Sequence, residues 1–460
     1  MSGPNIIFIC SDQQRYETMG CTGNPVIRTP GFDRLAAEGV LFRQAFSSCP
    51  ICSPYRGQIV TGRYSHKNGV PDNEYGLFED QTTMAQALGN AGYRTGYVGK
   101  WHLGYGPYPK EKRYGFDYMA AYNCKHKYFD VEYWENETGP IAFGQWAPAG
   151  ETDLAIRFMQ DHREQAGDRP FYLMMSWGPP HWPYDMYPDE FRLYEPDQAI
   201  VPPNVPEDMR EFAQKEIADY YGNVAGLDAQ MNRLLDWLET NGLRENTVIC
   251  YSSDHGDHLS SHGYGKPMDR QLHHSKRASK ATPYEESVHV PFLLSYPKAV
   301  AAGRTTDILF NSVDVMPTLL AIAGVDIPPE VQGRDLSHAA LGGEGPEPDS
   351  VYLQILGPGW PRRGKWVGFW RGLRTQRWVY ARWYGTGDVW LFDRDNDPFE
   401  MTNLAGRPEH AQIQQQLETR LQQWLEQTDD PFETGARDPA TGMLELGQTF
   451  THKKWYQQKA

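Results

Sequence analysis

The sequence has no long apolar run, few cysteines for its length and no excess of positive charge. None of its apolar runs in 460 residues reaches the length of a membrane helix, and Asn5–Cys10 lacks the basic start and cleavage site of a signal peptide. Six cysteines do not make a disulfide scaffold and favour a reducing compartment. The net charge of −15 argues against nucleic-acid and membrane partners. We therefore expect a soluble, cytoplasmic protein in which any anionic ligand binds at a local, enclosed positive site.

Four short apolar runs each lead directly into polar residues of the types that bind ligands or act in catalysis. They are Asn5–Cys10, Thr95–Val98, Phe171–Ser176 and Thr247–Tyr251. Nearly continuous hydrophobicity over this length is typical of parallel strands buried on both faces. A helical pattern, clearest over Pro206–Asn241, alternates with them. The predicted fold class is therefore α/β, with a large, mostly parallel central sheet flanked by helices and ligand sites beyond the carboxyl ends of its strands.

The composition changes near residue 345. We predict a catalytic α/β domain (1–345), a C-terminal α+β subdomain (346–430) and a polar tail or oligomerisation arm (431–460), with a linker at Gly342–Pro348. The subdomain is predicted to contain a small antiparallel sheet and a helix packed on it, formed by Ser350–Ile355, Gly372–Arg382, Val389–Phe392 and Glu409–Gln427.

A cysteine lies at the start of a predicted helix in the segment from Cys49 to Arg63. Because Pro54 falls just inside the helix and Arg56 follows, free backbone amides and the positive end of the helix dipole lie next to Cys52 and favour an anion there. Cys49 and Cys52 also form a Cys-x-x-Cys pair, which is compatible with redox chemistry or half of a zinc site. No second such pair occurs, and the chain is far longer than a thioredoxin-like unit. A nucleophile and a thiol redox or binding protein both stay open on these residues alone.

Two polar pairs follow the first and the fourth apolar run. Asp12 and Gln13 offer oxygens, and Asp254 and His255 offer an oxygen and a nitrogen. One aspartate at a strand end is more often a helix cap, but two facing pairs predict a site for one divalent metal ion. Calcium or manganese is expected, with magnesium and zinc as alternatives; the amide and the imidazole weaken the case for calcium.

The pattern Cys-x-Pro-x-Arg followed by Thr-Gly-Arg resembles the signature of the type I sulfatases, in the alkaline-phosphatase-like superfamily. The segment Gly92–Gly104, with Lys100-Trp-His102, resembles the second signature of this family. His181 in Pro-Pro-His-Trp-Pro and the segment Lys280–Pro291 are similar to further family motifs. The resemblance covers most of the chain up to about residue 405.

This resemblance implies a function and a role for each motif residue. A formylglycine-generating enzyme would convert Cys52 to formylglycine, which attacks a sulfate ester to yield an alcohol and sulfate. Arg56 would orient the nucleophile, and His102 would act as a base that helps to release sulfate. Sulfate would be bound by Lys100, His181 and Lys280, and the metal by Asp12, Gln13, Cys52, Asp254 and His255.

The expected substrate is a small-molecule or carbohydrate sulfate ester: aryl, alkyl or sugar. The two polar pairs depart from the commonest sulfatase pattern and resemble those of choline sulfatases and phosphonate monoester hydrolases. A phosphonate monoester or phosphodiester hydrolase on the same scaffold is therefore the alternative. The basic stretch 257–280 is interpreted as a substrate-facing loop, with a solvated loop as the alternative, because its spacing fits no common pattern for a second metal site. A homo-oligomer is left open.

Overall fold

The computed structural model describes residues 3–73, 75–167, 169–264, 280–357, 368–439 and 442–446. Its strands are β1 (Asn5–Asp12), β2 (Val40–Phe42), β3 (Ala45–Phe46), β4 (Arg94–Lys100), β5 (Tyr118–Tyr122), β6 (Glu132–Glu135), β7 (Thr138–Ala142), β8 (Phe171–Pro180), β9 (Thr247–Ser253), β10 (Phe292–Ser295), β11 (Arg304–Thr306), β12 (Phe310–Asn311), β13 (Val351–Ile355), β14 (Trp370–Arg374), β15 (Trp378–Trp383) and β16 (Val389–Asp393). Its helices are α1 (Pro30–Ala37), α2 (Cys52–Thr61), α3 (Ser65–Asn68), α4 (Met84–Asn90), α5 (Ala147–Ala166), α6 (Arg210–Thr240), α7 (Glu285–Val288), α8 (Val315–Ala323), α9 (Ser337–Leu341) and α10 (Ala411–Thr428).

The large sheet has the strand order β11-β2-β10-β9-β1-β8-β4-β5-β6-β7. Its central strands β9, β1, β8, β4 and β5 are parallel, and antiparallel neighbours flank them on both sides. The four predicted strands are β1, β4, β8 and β9, which lie side by side, and the predicted long helix is α6. The predicted mostly parallel α/β sheet is confirmed.

Burial on both faces explains why these strands are apolar throughout. In β1, Ile7 and Ile9 point into the core formed with α1, α5 and α6. The alternate residues Ile6 and Phe8 point into a second core formed with α2, α4 and α8. Alternation of side chains along a strand therefore supplies two cores from one continuous apolar run.

A separate antiparallel sheet, β13-β14-β15-β16, forms the C-terminal part, as predicted. Leu417, Leu421 and Leu425 of α10 are buried against this sheet, which confirms that the apolar stripe of the helix packs internally. The predicted strand Gly372–Arg382 is two strands, because the chain turns after β14 and Thr375 N–H bonds to the carbonyl of Trp378. The other face of the sheet packs on residues just before Cys52, including Ile51.

The described part of the predicted tail is packed rather than loose. Phe432, Met443, Leu444 and Leu446 are buried against the sheets, so the scattered apolar residues of this segment belong to the cores. Residues 447–460 lie outside the described residues, and the role of an oligomerisation arm stays a prediction. No helix in the described ranges is both long and apolar enough to cross a membrane.

Candidate active site

The carboxyl ends of four neighbouring strands bring the motif residues together. Asp12 ends β1, Lys100 ends β4, His181 follows β8 and Asp254 follows β9. Because β9, β1, β8 and β4 are adjacent, these residues lie at one edge of the sheet. The convergence expected from the four apolar runs is therefore observed.

Cys52 is the first residue of α2, and its side chain lies in this group. Ile51 before it is extended, so the helix starts at Cys52; the Ser53 N–H donates to Asn73 Oδ1 at 3.0 Å, and Pro54 has no N–H. Cys52 Sγ lies 3.2 Å from Lys280 Nζ and 3.4 Å from His255 Nε2. It lies 3.8 Å from Asp12 Oδ1. The predicted nucleophile therefore lies between a cation and the acidic group, at the positive end of a helix.

The surroundings of Cys52 keep its thiol protonated. The residue is only 2% exposed. Burial, reinforced by Asp12, raises the pKa of the thiol to about 12. Because the thiolate is the nucleophilic form, an unmodified Cys52 is poorly suited to attack at neutral pH. Cys49 packs in the apolar core and both thiols are free, so the structure contains no Cys49–Cys52 disulfide.

Asp12, Cys52, Asp254 and His255 form a group of candidate metal ligands, whose ligand atoms all lie within 4.8 Å of one another. His255 Nε2 lies 3.4 Å from Asp254 Oδ1 and 3.8 Å from Asp12 Oδ1. His255 Nδ1 donates to the Gly256 carbonyl at 2.9 Å, which leaves the lone pair of Nε2 directed at the group. This orientation is the one that a metal-binding imidazole needs.

Gln13 lies beside these ligands and its amide is fixed. Its positive φ of 68° turns the chain after β1, and its N–H donates to Asp254 Oδ1 at 2.9 Å. Gln13 Nε2 donates to Asp257 Oδ2 at 2.6 Å, and Oε1 accepts from Lys280 Nζ at 3.3 Å. Carboxylate, amide and imidazole donors together suit a divalent ion such as manganese, so the residues present fit the expected metal.

Arg56 and Lys100 neutralise the outer oxygens of the two carboxylates. Lys100 Nζ lies 2.5 Å from Asp12 Oδ2, and Arg56 lies 3.4 Å from Asp12 Oδ2 and 3.3 Å from Asp254 Oδ2. Arg56 also donates to the Lys100 carbonyl at 2.6 Å and to the Ser176 hydroxyl at 2.5 Å. The buried guanidinium therefore holds both carboxylates in place. Direct orientation of the nucleophile by Arg56 stays a prediction.

Two motif histidines have lowered pKa values. Burial, with Lys100 and Arg56 nearby, lowers the pKa of His102 well below its usual value. Its Nδ1 has no hydrogen-bond partner among the described residues. Burial and Lys280 likewise lower the pKa of His181, whose Nδ1 donates to the Trp182 carbonyl at 2.8 Å. Both imidazoles are therefore neutral near pH 7, and each has a nitrogen lone pair that can accept a hydrogen bond.

Sequence reasoning missed several residues that support the site. Asp257 holds Gln13 and also accepts from the Tyr184 hydroxyl at 2.5 Å. His126 stacks on His181 with ring centroids 4.3 Å apart. The position of Asp257 three residues after Asp254 was the available signal, but nothing local indicated His126. Of the predicted substrate-facing loop, residues 265–279 lie outside the described residues.

Comparison with protein families gives two matches. The model described as Sulfatase matches residues 4–325. The model described as N-sulphoglucosamine sulphohydrolase, C-terminal, matches residues 276–427. Together they span both sheets.

Curated relatives of this chain are also named as sulfatases. An ulvan-active sulfatase of Formosa agariphila is 32% identical, over 94% of this chain and 83% of the relative. An N-acetylglucosamine-6-O-sulfatase of Bacteroides thetaiotaomicron is 28% identical, over 96% of this chain and 89% of the relative.

Solved structures extend the likeness to the fold. One from work on glycosaminoglycan metabolism by Bacteroides thetaiotaomicron has a TM-score of 0.84 and 28% identity, and covers 94% of this chain and 98% of its own. Phosphonate monoester hydrolase of Agrobacterium radiobacter has a TM-score of 0.73, and the match covers 96% of this chain and 99% of the hydrolase. At 20% identity, this likeness shows a shared fold alone. From the family model over 4–325 and the 32% identical relative, the chain belongs to the sulfatase family and is a sulfuric ester hydrolase.

Proposed function

We propose that the protein hydrolyses the sulfate ester of a carbohydrate, using a formylglycine made from Cys52 and one divalent metal ion. The observation that carries the proposal is the position of Cys52 Sγ, between Lys280 Nζ at 3.2 Å and the candidate metal ligand His255 at 3.4 Å. The relatives named for N-acetylglucosamine-6-O-sulfate and ulvan support a carbohydrate as the alcohol.

The metal would be held by Asp12, Gln13, Asp254 and His255, together with the modified residue 52. When bound, it would act as a Lewis acid beside the nucleophile and the sulfate oxygens. The Cys-x-Pro-x-Arg pattern of residues 52–56, within the segment that matches the Sulfatase family, supports modification of residue 52 to formylglycine. A formylglycine-generating enzyme is therefore the proposed processing partner.

Lys280, Lys100 and the amino end of α2 would bind and orient the sulfate group. Lys280 Nζ is close to Cys52 and to the Gln13 amide oxygen, so its ammonium is in reach of an anion at that position. Preorganised cations of this kind stabilise negative charge as it shifts during transfer. In the buried site they act without screening by bulk water.

His102 and His181 are the proposed proton-transfer residues. Desolvation and a neighbouring lysine lower the pKa of each imidazole, so both are neutral at pH 7. The negative charge of a bound sulfate group would raise these pKa values and favour proton transfer. His181 Nδ1 is bound to the Trp182 carbonyl, which leaves Nε2 for a substrate oxygen. Once the anionic substrate has favoured protonation of Nε2, His181 would give that proton to the oxygen of the departing alcohol and return to the neutral form.

Comparison of substrates tests the proposal. The protein is produced with a formylglycine-generating enzyme, supplied with manganese or calcium, and assayed with an aryl sulfate, the matching phosphonate monoester and the phosphodiester. A higher kcat/KM for sulfate is expected, followed by turnover of sulfated monosaccharides and oligosaccharides. A preference for the phosphorus esters would refute sulfate specificity.

Phosphonate monoester or phosphodiester hydrolysis is the second candidate. The pairing of Gln13 with Asp12 and of His255 with Asp254 favours it, because these pairs resemble those of phosphonate hydrolases. The same comparison decides between the two. Cytoplasmic location and homo-oligomer formation stay predictions.

A further inference from the structure

A second group of buried ligand atoms lies outside the site described above. One ligand atom from each of His262, Glu286 and Glu400 lies within 4.8 Å of those from the other two. The residues come from three distant parts of the chain: the segment after β9, the helix α7 and the connection between β16 and α10. Their spacing in the sequence therefore fits no local metal motif, and only the fold brings them together.

Both carboxylates are buried and each has an unused oxygen. Glu286 is 7% exposed and Glu400 is 2% exposed. Glu400 Oε2 accepts from the Glu285 N–H at 3.0 Å, and Glu286 Oε1 accepts from Asn204 Nδ2 at 2.6 Å. Glu400 Oε1 and Glu286 Oε2 have no hydrogen-bond partner among the described residues. Buried oxygens without a partner are costly, so these two indicate a missing ligand.

The spacing of these atoms suits a shared ion. Glu286 Oε2 lies 3.5 Å from His262 Nε2, which is long for a hydrogen bond. The contact of this nitrogen with Asn204 Nδ2 at 3.1 Å is the one that an ion would replace. Two ligands bound at about 2.1 Å to one tetrahedral ion stand about 3.4 Å apart. The His262 ring is held by stacking on Tyr284, with centroids 3.7 Å apart, and its backbone has a positive φ of 55°.

The arginines near the group pair with other oxygens among the described residues. Arg374 and Arg394 pair with Glu285, at 2.6 and 3.2 Å, and Arg15 lies 3.9 Å from Glu286 Oε1. Glu286 Oε2 and Glu400 Oε1 are therefore the oxygens available to a divalent cation, which would compensate these buried carboxylates.

We propose that His262, Glu286 and Glu400 bind a second divalent cation of the manganese or zinc class. One imidazole nitrogen with carboxylate oxygens suits these ions, whereas calcium takes oxygen ligands. The ion would tie Glu400 of the C-terminal part to the segment after β9. That segment contains Asp257, which holds Gln13 in the active site.

Counting bound ions tests the proposal. A chelator removes bound metal from the full-length protein, which is then dialysed against Mn²⁺ or Zn²⁺ alone. The metal bound per chain is measured by inductively coupled plasma mass spectrometry. We expect two ions per chain in the wild type, and one after Glu400→Gln, with the dissociation constant of the lost site raised at least about tenfold. The glutamine retains an acceptor for the Glu285 N–H, so the fold is expected to persist, and circular dichroism checks this.

Matched variants separate this site from the active site. Glu409→Gln makes the same change at an exposed position of the same segment, and it is expected to retain both ions. Asp254→Asn is expected to lose the active-site ion and retain the ion at Glu400. If Glu400→Gln does not fold, Glu286→Gln replaces it. The proposal is overturned if the wild type and the folded glutamine variant bind the same number of ions with the same affinity. It is also overturned if the wild type binds one ion and Asp254→Asn removes that ion.

Discussion

Asp257→Asn is expected to weaken metal binding in the active site although no proposed metal ligand is substituted. Asp257 Oδ2 accepts from Gln13 Nε2 at 2.6 Å and from the Tyr184 hydroxyl at 2.5 Å, while Oδ1 accepts from the Leu259 N–H at 3.0 Å. Asparagine has one acceptor oxygen, and the backbone N–H of Leu259, which cannot rotate, retains it. The asparagine NH₂ group then faces Gln13 Nε2, so the Gln13 amide rotates and its oxygen leaves the metal site.

The size of the effect follows from what a lost supporting contact does to a metal site. Removal of such a partner typically weakens metal affinity about 10–100-fold, which corresponds to about 1.4–2.8 kcal/mol. We expect the manganese concentration for half-maximal activity to rise by this factor, while kcat at saturating manganese falls less than about tenfold. The assay is a manganese titration of chelator-treated enzyme with an aryl sulfate.

Tyr184→Phe is the matched control. It removes one donor to Asp257 but leaves the carboxylate and the Gln13 contact in place. We expect its manganese requirement to change much less than that of Asp257→Asn. If Asp257→Asn leaves the requirement within twofold of the wild type, Asp257 does not position Gln13 for a metal ion.

Three further predictions address the nucleophile, the departing alcohol and the fold. Cys52→Ala is expected to lower kcat by about 10⁴-fold or more with an unchanged circular dichroism spectrum. In the wild type, mass spectrometry of the peptide that contains residue 52 is expected to detect the aldehyde. Full activity in the variant would exclude Cys52 as the nucleophile. His181→Ala is expected to lower kcat/KM for a sugar sulfate about 10²-fold or more but to affect a nitrophenyl sulfate far less, because a good leaving group needs no proton; equal losses would contradict the proton-transfer role. Asp430→Asn is expected to destabilise the fold by about 3–5 kcal/mol near pH 7, because it breaks the buried pair with Arg371 at 2.8 Å. Burial would raise the pKa of Asp430, but the charge of Arg371 outweighs it and lowers this pKa to about 2. The difference in urea midpoint between the wild type and Asp430→Asn is therefore expected to be constant above about pH 4 and to shrink as the pH falls from about 4 to 2.

The central sheet could be predicted because its strands are buried on both faces. A continuous apolar run as short as Phe171–Ser176 is typical of a strand inside a parallel sheet, and polar residues at the ends of such strands must then share one edge. The C-terminal sheet was predicted less well. The connection between β14 and β15, residues 375–377, is polar but contains no glycine or proline, so the usual turn residues do not mark the boundary between the two strands.

Supporting contacts between distant segments were beyond the reach of sequence patterns. Arg56 lies in a recognisable motif, yet its bonds to two carboxylates and to Ser176 depend on how three strands and a helix meet. His262, Glu286 and Glu400 come from three separate segments and share no motif. Residues that act by contact across the fold carry no periodicity that a sequence pattern can reveal.

The charges of the active site explain how an acidic protein can bind an anionic ester. Arg56, Lys100 and Lys280 lie among three buried carboxylates of the site, Asp12, Asp254 and Asp257, so these charges offset one another despite the net charge of −15 of the whole protein. Arg56 and Lys100 contact carboxylates directly, whereas Lys280 Nζ lies 3.2 Å from Cys52 Sγ, beside the position proposed for the sulfate. A divalent ion would add two positive charges within a buried site, where they act at short range and without screening by solvent. The net charge of the whole protein therefore does not exclude an anionic substrate, because Lys280 and the proposed ion would supply positive charge at the site itself.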